Sequence, residues 1–302
     1  MSESNYNDVR SNDVALVANN LDAIMHSSTY KLASEDHDLI ATNEMRGVRM
    51  LLEISKPDIL LEQAKIQSTI IVFGGAHLVE RCTAQRNLAT LQQQLQEDPN
   101  NQKLQDRCKR AKRLLELSRY YDEAREFAKL ASAESECAGG CRGVIVTGGG
   151  PGIMEAANRG AFDIGQQSIG LNIELPNEQH PNPFISPELC FKFNYFALRK
   201  FHFVMRAEAA VLFPGGFGTL DELFEVLTLR QTGIKSNIPV ILVGREYWSR
   251  LINFEFLADS GLAGDDCFSW FSYADTAQEA LEIIHHHRHA NDLHRAGQTG
   301  AA

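Results

Sequence analysis

Short apolar runs alternate with amphipathic stretches along most of this chain. "STIIVF" (68–73), "GVIVT" (143–147), "QSIGLNIEL" (167–175), "AAVLF" (209–213) and "PVILVG" (239–244) are β-branched or aliphatic runs of strand length. Such runs, bounded by glycine and proline, predict buried strands. Between them, "PGIMEAANRGAFDIG" (151–165), "ALRKFHFVMRA" (197–207), "GTLDELFEVLTLRQ" (218–231), "REYWSRLINFEFL" (245–257) and "TAQEALEIIHHHR" (276–288) carry helical spacing. Pro151 falls near the start of the first of these, where a missing N–H is harmless. "DDCFSWFS" (265–272) reads as a short edge strand.

Strands alternating with helices of about 10–15 residues predict βαβ units with right-handed crossovers. The expected fold is α/β: a Rossmann-like, doubly wound, mostly parallel sheet with helices on both faces. Residues 44–288 form one such domain. A polar lead-in occupies 1–43 and a polar tail 289–302. "EMRGVRMLLEISKPDILLEQ" (44–63) predicts a helix interrupted at Pro57. Residues 80–130, with Leu114, Leu117, Tyr121 and Ala124 at helical spacing, predict a helical excursion between the first two strands.

Composition changes this picture little. Lys+Arg 29 against Asp+Glu 39 gives a net charge of −10, which argues against a general nucleic-acid binder. No run reaches the roughly 20 apolar residues of a membrane span, and "MSESNYNDVRSNDV" lacks a signal-peptide pattern. The expectation is a cytoplasmic protein. Six scattered cysteines suggest no disulfide framework, and Cys137 and Cys141 in "CAGGC" are expected to be reduced thiols. His285 and His289 are four apart on a helix, but no further ligand accompanies them, so no metal site is expected.

The chemistry concentrates in three glycine loops after predicted strands: "FGGAH" (73–77), "TGGGPGIME" (147–155) and "PGGFGTLDE" (214–222). Ligands of doubly wound sheets bind beyond the carboxyl ends of the strands. The last two loops run directly into helices, where bare N–H groups and the dipole favour an anion. Gly149, Gly150 and Gly152 in one loop, and Gly215, Gly216, Gly218 and Thr219 in the other, are the candidate phosphate-binding residues. Neither loop matches G-x-G-x-x-G, and no Gly-Lys-Ser/Thr occurs, so a single phosphate is expected rather than a dinucleotide or an ATPase site. Leu220, Leu223, Phe224 and Leu227 read as the buried stripe of the following helix. Glu222 is then expected opposite that stripe, beside the glycine turn and within reach of a ligand.

Taken together these motifs resemble the LOG family, whose type case is the cytokinin riboside 5′-monophosphate phosphoribohydrolase "Lonely guy" and whose relatives often carry the older label lysine decarboxylase. The family pattern PGGxGTxxE is met by Pro214, Gly215, Gly216, Gly218, Thr219 and Glu222. Its preceding Arg-Lys pair is met by Arg199 and Lys200, and GGGPGIMEAANRGA stands at 148–161. The resemblance implies hydrolysis of the N-glycosidic bond of AMP or a cytokinin riboside monophosphate, giving free base and ribose 5-phosphate. It implies Arg199 and Glu222 as catalytic residues, Lys200 in substrate binding, no cofactor, and a homodimer or higher oligomer. Glu155, at the start of the "GIMEAAN" helix, is a third acid expected to face the crevice. One departure is that many relatives place serine and arginine after the first glycine, where this chain has Gly75 and His77. The competing reading is a non-catalytic nucleotide sensor or carrier, since a fold does not set a function. A deoxyribosyltransferase-like activity is a third possibility, and pyridoxal phosphate chemistry lacks its residues.

Overall fold

The computed structural model describes residues 4–135, 140–176, 180–235, 238–264 and 266–299, with no account of the side chains of 4–12, 267 and 291–299. Its elements in chain order are α1 (Ser4–Met25), α2 (His37–Ala41), α3 (Arg46–Gln63), β1 (Thr69–Phe73), α4 (Arg81–Glu97), α5 (Gln102–Leu117), α6 (Arg119–Ala133), β2 (Val144–Thr147), α7 (Ile153–Phe162) and β3 (Ser168–Ile173). There follow β4 (Cys190–Phe193), α8 (Phe196–Met205), β5 (Ala207–Leu212), α9 (Phe217–Gln231), β6 (Val240–Val243), α10 (Arg245–Leu251), α11 (Phe254–Asp259), β7 (Ser272–Ala274) and α12 (Ala277–Thr299).

The chain divides into two compact units, Met1–Ser55 and Lys56–Ala302. The first holds α1, α2 and the first part of α3. Pro57 does not interrupt α3. The helix runs through it, forgoing one backbone hydrogen bond, at a cost of about 3 kcal/mol.

The second unit is a seven-stranded sheet in the order β4-β3-β2-β1-β5-β6-β7, with every pair parallel. After β1 the chain adds β2, β3 and β4 on one side, then returns to place β5, β6 and β7 on the other. The direction of winding therefore reverses between β1 and β5, the position where doubly wound sheets open a crevice. Alternate residues of each strand face opposite layers. Ile70 and Val72 join the core with α6, α7 and α12, whereas Phe73 meets Phe203 of α8 edge-on at 4.9 Å on the other face. α6 and α7 approach closely because Gly160 lies against the α6 backbone: a Cβ there would come within 2.1 Å of the Arg125 carbonyl oxygen.

Four boundaries differ from the pattern-based expectation. α7 begins at Ile153, not Pro151, because Gly152 has φ +74° and cannot be helical. The stretch 245–257 is two helices: Asn253 accepts a hydrogen bond from the Phe256 N–H at 2.9 Å and starts α11 afresh. The edge strand lies at Ser272–Ala274, just past most of "DDCFSWFS", and α12 continues through the expected tail to Thr299. Cys141 is disulfide-bonded, which corrects the expectation of a reduced thiol there; Cys137 lies outside the described residues.

Candidate functional site

The three glycine loops follow β1, β2 and β5, which are neighbours in the sheet, and they are laced together. The Gly75 N–H donates to the Pro214 carbonyl at 2.9 Å, and the Gly75 carbonyl accepts from the Ile153 N–H at 3.2 Å. Gly152 presses on the first loop, since a Cβ there would sit 2.4 Å from the Gly75 oxygen. Above them opens a cavity of about 540 Å³.

Helix α9 enters this cavity with its N-terminus. Its cap residue, Gly216, has no side chain to satisfy the first-turn N–H groups, which have no intrahelical acceptor. Gly216 and Gly218 are informative because nothing in the protein requires glycine there. Neither has positive φ, and a Cβ at either would meet nothing within 4 Å. Gly215, by contrast, packs on the Thr219 side chain, and its carbonyl accepts from the Tyr247 hydroxyl.

The buried face of α9 is Thr219, Leu223, Val226 and Leu227, while Phe224 is 42% exposed. This corrects the expected stripe and with it the orientation of Glu222. At about 100° per residue, Glu222 lies roughly 40° from Val226 and 60° from Thr219, on the margin of the buried face rather than opposite it. Its surface stays partly open to the cavity, but protein surrounds it otherwise. That desolvation pushes its pKa from 4.5 up to about 8, against the pull of Arg199.

Arg199 reaches the same cavity from α8. Its Nε donates to the Leu171 carbonyl at 2.7 Å, and its guanidinium lies 5.2 Å from the Phe203 ring centroid. Room for the guanidinium comes from Gly148, where a Cβ would fall 2.2 Å from Nη2. Burial lowers the Arg199 pKa, and Glu222 opposes that shift. The terminal nitrogens of Arg199 find no hydrogen-bond acceptor among the described residues, so a half-buried cation on the cavity lining keeps donor groups unused.

The structure thus brings together Arg199, Glu222, Gly215, Gly216, Gly218 and Thr219 on one cavity. It does not bring Lys200 there: its Nζ lies 2.6 Å from Asp221 and 3.5 Å from Glu225, bridging α8 to the outer side of α9. Glu155 turns toward α6 and accepts from the Tyr121 hydroxyl at 2.8 Å. Gly149, Gly150 and Gly152 shape the second loop without lining the cavity; Gly149 packs on Asn172, and its N–H donates to Thr147 Oγ1 at 3.0 Å.

Residues 154–284 match a family model described as "Possible lysine decarboxylase". Over 189 residues the chain is 28% identical to the rice (Oryza sativa subsp. japonica) protein named probable cytokinin riboside 5′-monophosphate phosphoribohydrolase LOGL3, covering 58% of this chain and 82% of that one. Over this part of its length the chain is similar to LOG proteins. It is 32% identical over 115 residues to the Arabidopsis thaliana cytokinin riboside 5′-monophosphate phosphoribohydrolase LOG1, covering 37% of this chain and about half (52%) of LOG1. The X-ray structure of TM1055 superposes at a TM-score of 0.43 with 19% identity, covering 72% of this chain and 99% of that one.

Several residues that line the cavity were not singled out from the sequence. Leu114 and Leu117, from the last turn of α5, form part of its apolar wall with Leu78. Tyr247 and Asn172 also line it. Their position at or just past strand ends was the available signal, since β3 and β6 both point at the crevice. His77 lines the cavity from the first loop. His285 is paired with Glu134 at 2.6 Å, and among the described residues no group of three or more His, Cys, Asp or Glu is placed to hold a metal. No described helix is long and apolar enough to cross a membrane.

Proposed function

We propose that this protein is a nucleoside 5′-monophosphate phosphoribohydrolase, acting on AMP or a cytokinin riboside monophosphate. The observation that carries the reading is the pair Gly216 and Gly218. They are glycines that the chain's own packing does not need, and they bare the N-terminus of α9 beside Glu222 and Arg199. A 5′-phosphate on the first-turn N–H groups gains hydrogen bonds and the helix dipole. The names of the LOG relatives support the same substrate class.

In the proposed reaction the oxygen of a water molecule bonds to C1′ as the C1′–N bond breaks. The bonding pair leaves with the base, which takes up a proton, and ribose 5-phosphate retains the hydroxyl. Positive charge develops on the ribosyl ring, as in glycoside hydrolysis. Glu222 in its ionised form stabilises that charge and accepts a proton from the attacking water. Arg199, with its unused donors, stabilises negative charge on the departing base or holds the substrate in line. The reading also carries homodimerisation: Phe196, Phe201, Phe217 and Phe224 of α8 and α9 are all exposed, Phe217 by 92%.

The test is incubation of the pure protein with AMP and other nucleoside monophosphates, with Glu222→Gln alongside. Release of free base and ribose 5-phosphate by wild type and its loss in the variant are expected. Tight nucleotide binding without base release from any of them would replace this reading with a sensor or carrier. Sedimentation at micromolar concentration tests the dimer.

A further inference from the structure

The loop between β2 and α7 is held by a buried polar hub that the reaction itself does not use. Asn158, on the second turn of α7, has no solvent exposure. Its Oδ1 accepts from Thr147 Oγ1 at 2.7 Å and from Asn182 Nδ2 at 2.9 Å. Its Nδ2 donates to Ser168 Oγ at 2.9 Å and approaches the Ile169 carbonyl at 3.4 Å. Two of these partners, Thr147 and Asn182, reach the glycine loop. Thr147 Oγ1 accepts from the Gly149 N–H, and Asn182 donates through its backbone N–H to the Gly149 carbonyl at 2.8 Å and through Nδ2 to the Gly150 carbonyl at 3.1 Å. Residues on both sides of Gly148 are therefore fixed.

Gly148 is the residue against which the Arg199 guanidinium lies. The same hub ties β3 at Ser168 and Ile169, and β3 supplies Leu171, whose carbonyl holds Arg199 Nε. Two of the surfaces beside the guanidinium, the Gly148 backbone and the Leu171 carbonyl, thus converge on one side chain, while Phe203 flanks it separately. A buried polar network is costly to leave partly satisfied, and a fully satisfied one rigidifies its surroundings. An apolar core would hold α7 to β2 as well, so stability alone does not call for asparagine here.

We infer that Asn158, with Asn182, is a positioning residue that sets the Arg199 guanidinium through Gly148 and β3. The kinetic consequence rests on the proposed hydrolysis; the structural consequence does not. A displacement of about 1 Å in a catalytic group lowers turnover by up to about 100-fold. Asn158→Ala is therefore expected to reduce kcat at least ~10-fold with little change in KM. In an Arg199→Ala background the same substitution is expected to add almost nothing, because groups acting as one unit are non-additive.

The ligand-independent test is the Arg199 Nε–H signal in a ¹⁵N-correlated NMR spectrum, assigned by its loss in Arg199→Lys. It is expected to be slowly exchanging in wild type and to shift or broaden in Asn158→Ala and Asn182→Ala, with Asn158→Asp affected less because Oδ1 is kept. Ile241→Val, a core change destabilising by another route, is expected to leave the signal in place. An unshifted signal in folded Asn158→Ala and Asn182→Ala, or the same change in Ile241→Val, overturns the inference. So do kinetic effects of Asn158→Ala and Arg199→Ala that simply multiply. If Asn158→Ala does not fold, Asn182→Ala and Asn158→Asp decide. Absence of base release with the expected NMR response would remove the hydrolase reading and leave this one standing.

Discussion

Replacing Glu222 by glutamine should make the protein more stable, and increasingly so as pH rises. The carboxyl is raised from 4.5 to about 8, chiefly by desolvation. Between those two values the folded protein holds a proton that the unfolded chain has released. Stability contributed by the neutral carboxyl is thus complete below about 4.5, falls as pH rises, and is fully lost above about 8. At about 1.4 kcal/mol per pH unit the whole shift corresponds to roughly 5 kcal/mol, an upper bound for a fully dehydrated group. Because the carboxylate still meets cavity water, about 2 kcal/mol is the expected size. Glutamine carries no such proton. Urea unfolding of wild type and Glu222→Gln at fixed ionic strength, from pH 5 to pH 9, isolates this group, since other titrations cancel in the difference. Near-equal stability at pH 5 and a variant about 2 kcal/mol more stable at pH 9 are expected. A difference that stays flat across this range, or a variant less stable at pH 9, refutes the burial argument whatever the protein's activity.

The same titration governs turnover if Glu222 must be ionised. kcat/KM for AMP should rise with pH, reach half its plateau near 8 and level off above it, and a profile flat from pH 6 to 9 would remove Glu222 as the base. Gly216→Ala and Gly218→Ala should leave stability unchanged or raise it by up to about 1 kcal/mol, because the Cβ meets open space. The same variants should weaken AMP binding at least ~10-fold by calorimetry, since a methyl group then stands between phosphate and backbone. Leu114→Ala and Leu117→Ala should raise KM several-fold with kcat nearly constant, the signature of lost uniform binding, in steady-state assays of base release.

The strands and glycine loops were legible because their signals are local. Four-to-six-residue apolar runs ending in glycine admit few other readings, and the crevice follows from where parallel strands end. The direction of Glu222 was not legible in the same way. α9 carries Leu220, Leu223, Phe224, Val226 and Leu227, which is apolar over more than one face, so periodicity alone selected the wrong stripe. The sheet decided it by burying Thr219 and Val226. Lys200 follows Arg199 in sequence but sits about 100° around α8, where Asp221 and Glu225 capture it. Leu114 and Leu117 come from an element far away in sequence, and no local pattern announces that a solvated-looking helix ends in a cavity. The buried Asn158 hub was hidden for a related reason: on a helix of small residues, an asparagine reads as surface until its partners are seen.

The lacing of Gly75 to both neighbouring loops bears on how such a site can change. Lengthening or shifting the turn after β1 would disturb the turns after β2 and β5 together, so the polar base of the cavity varies as a block or not at all. The apolar wall is under no such constraint. α5 brings Leu114 and Leu117 to the cavity without joining that hydrogen-bonded set, and it can exchange them independently, whereas Tyr247 of α10 is tied to the Gly215 carbonyl. On the proposed reading, diversification of the accepted base should accordingly be sought in the apolar wall, with the glycine loops inherited intact.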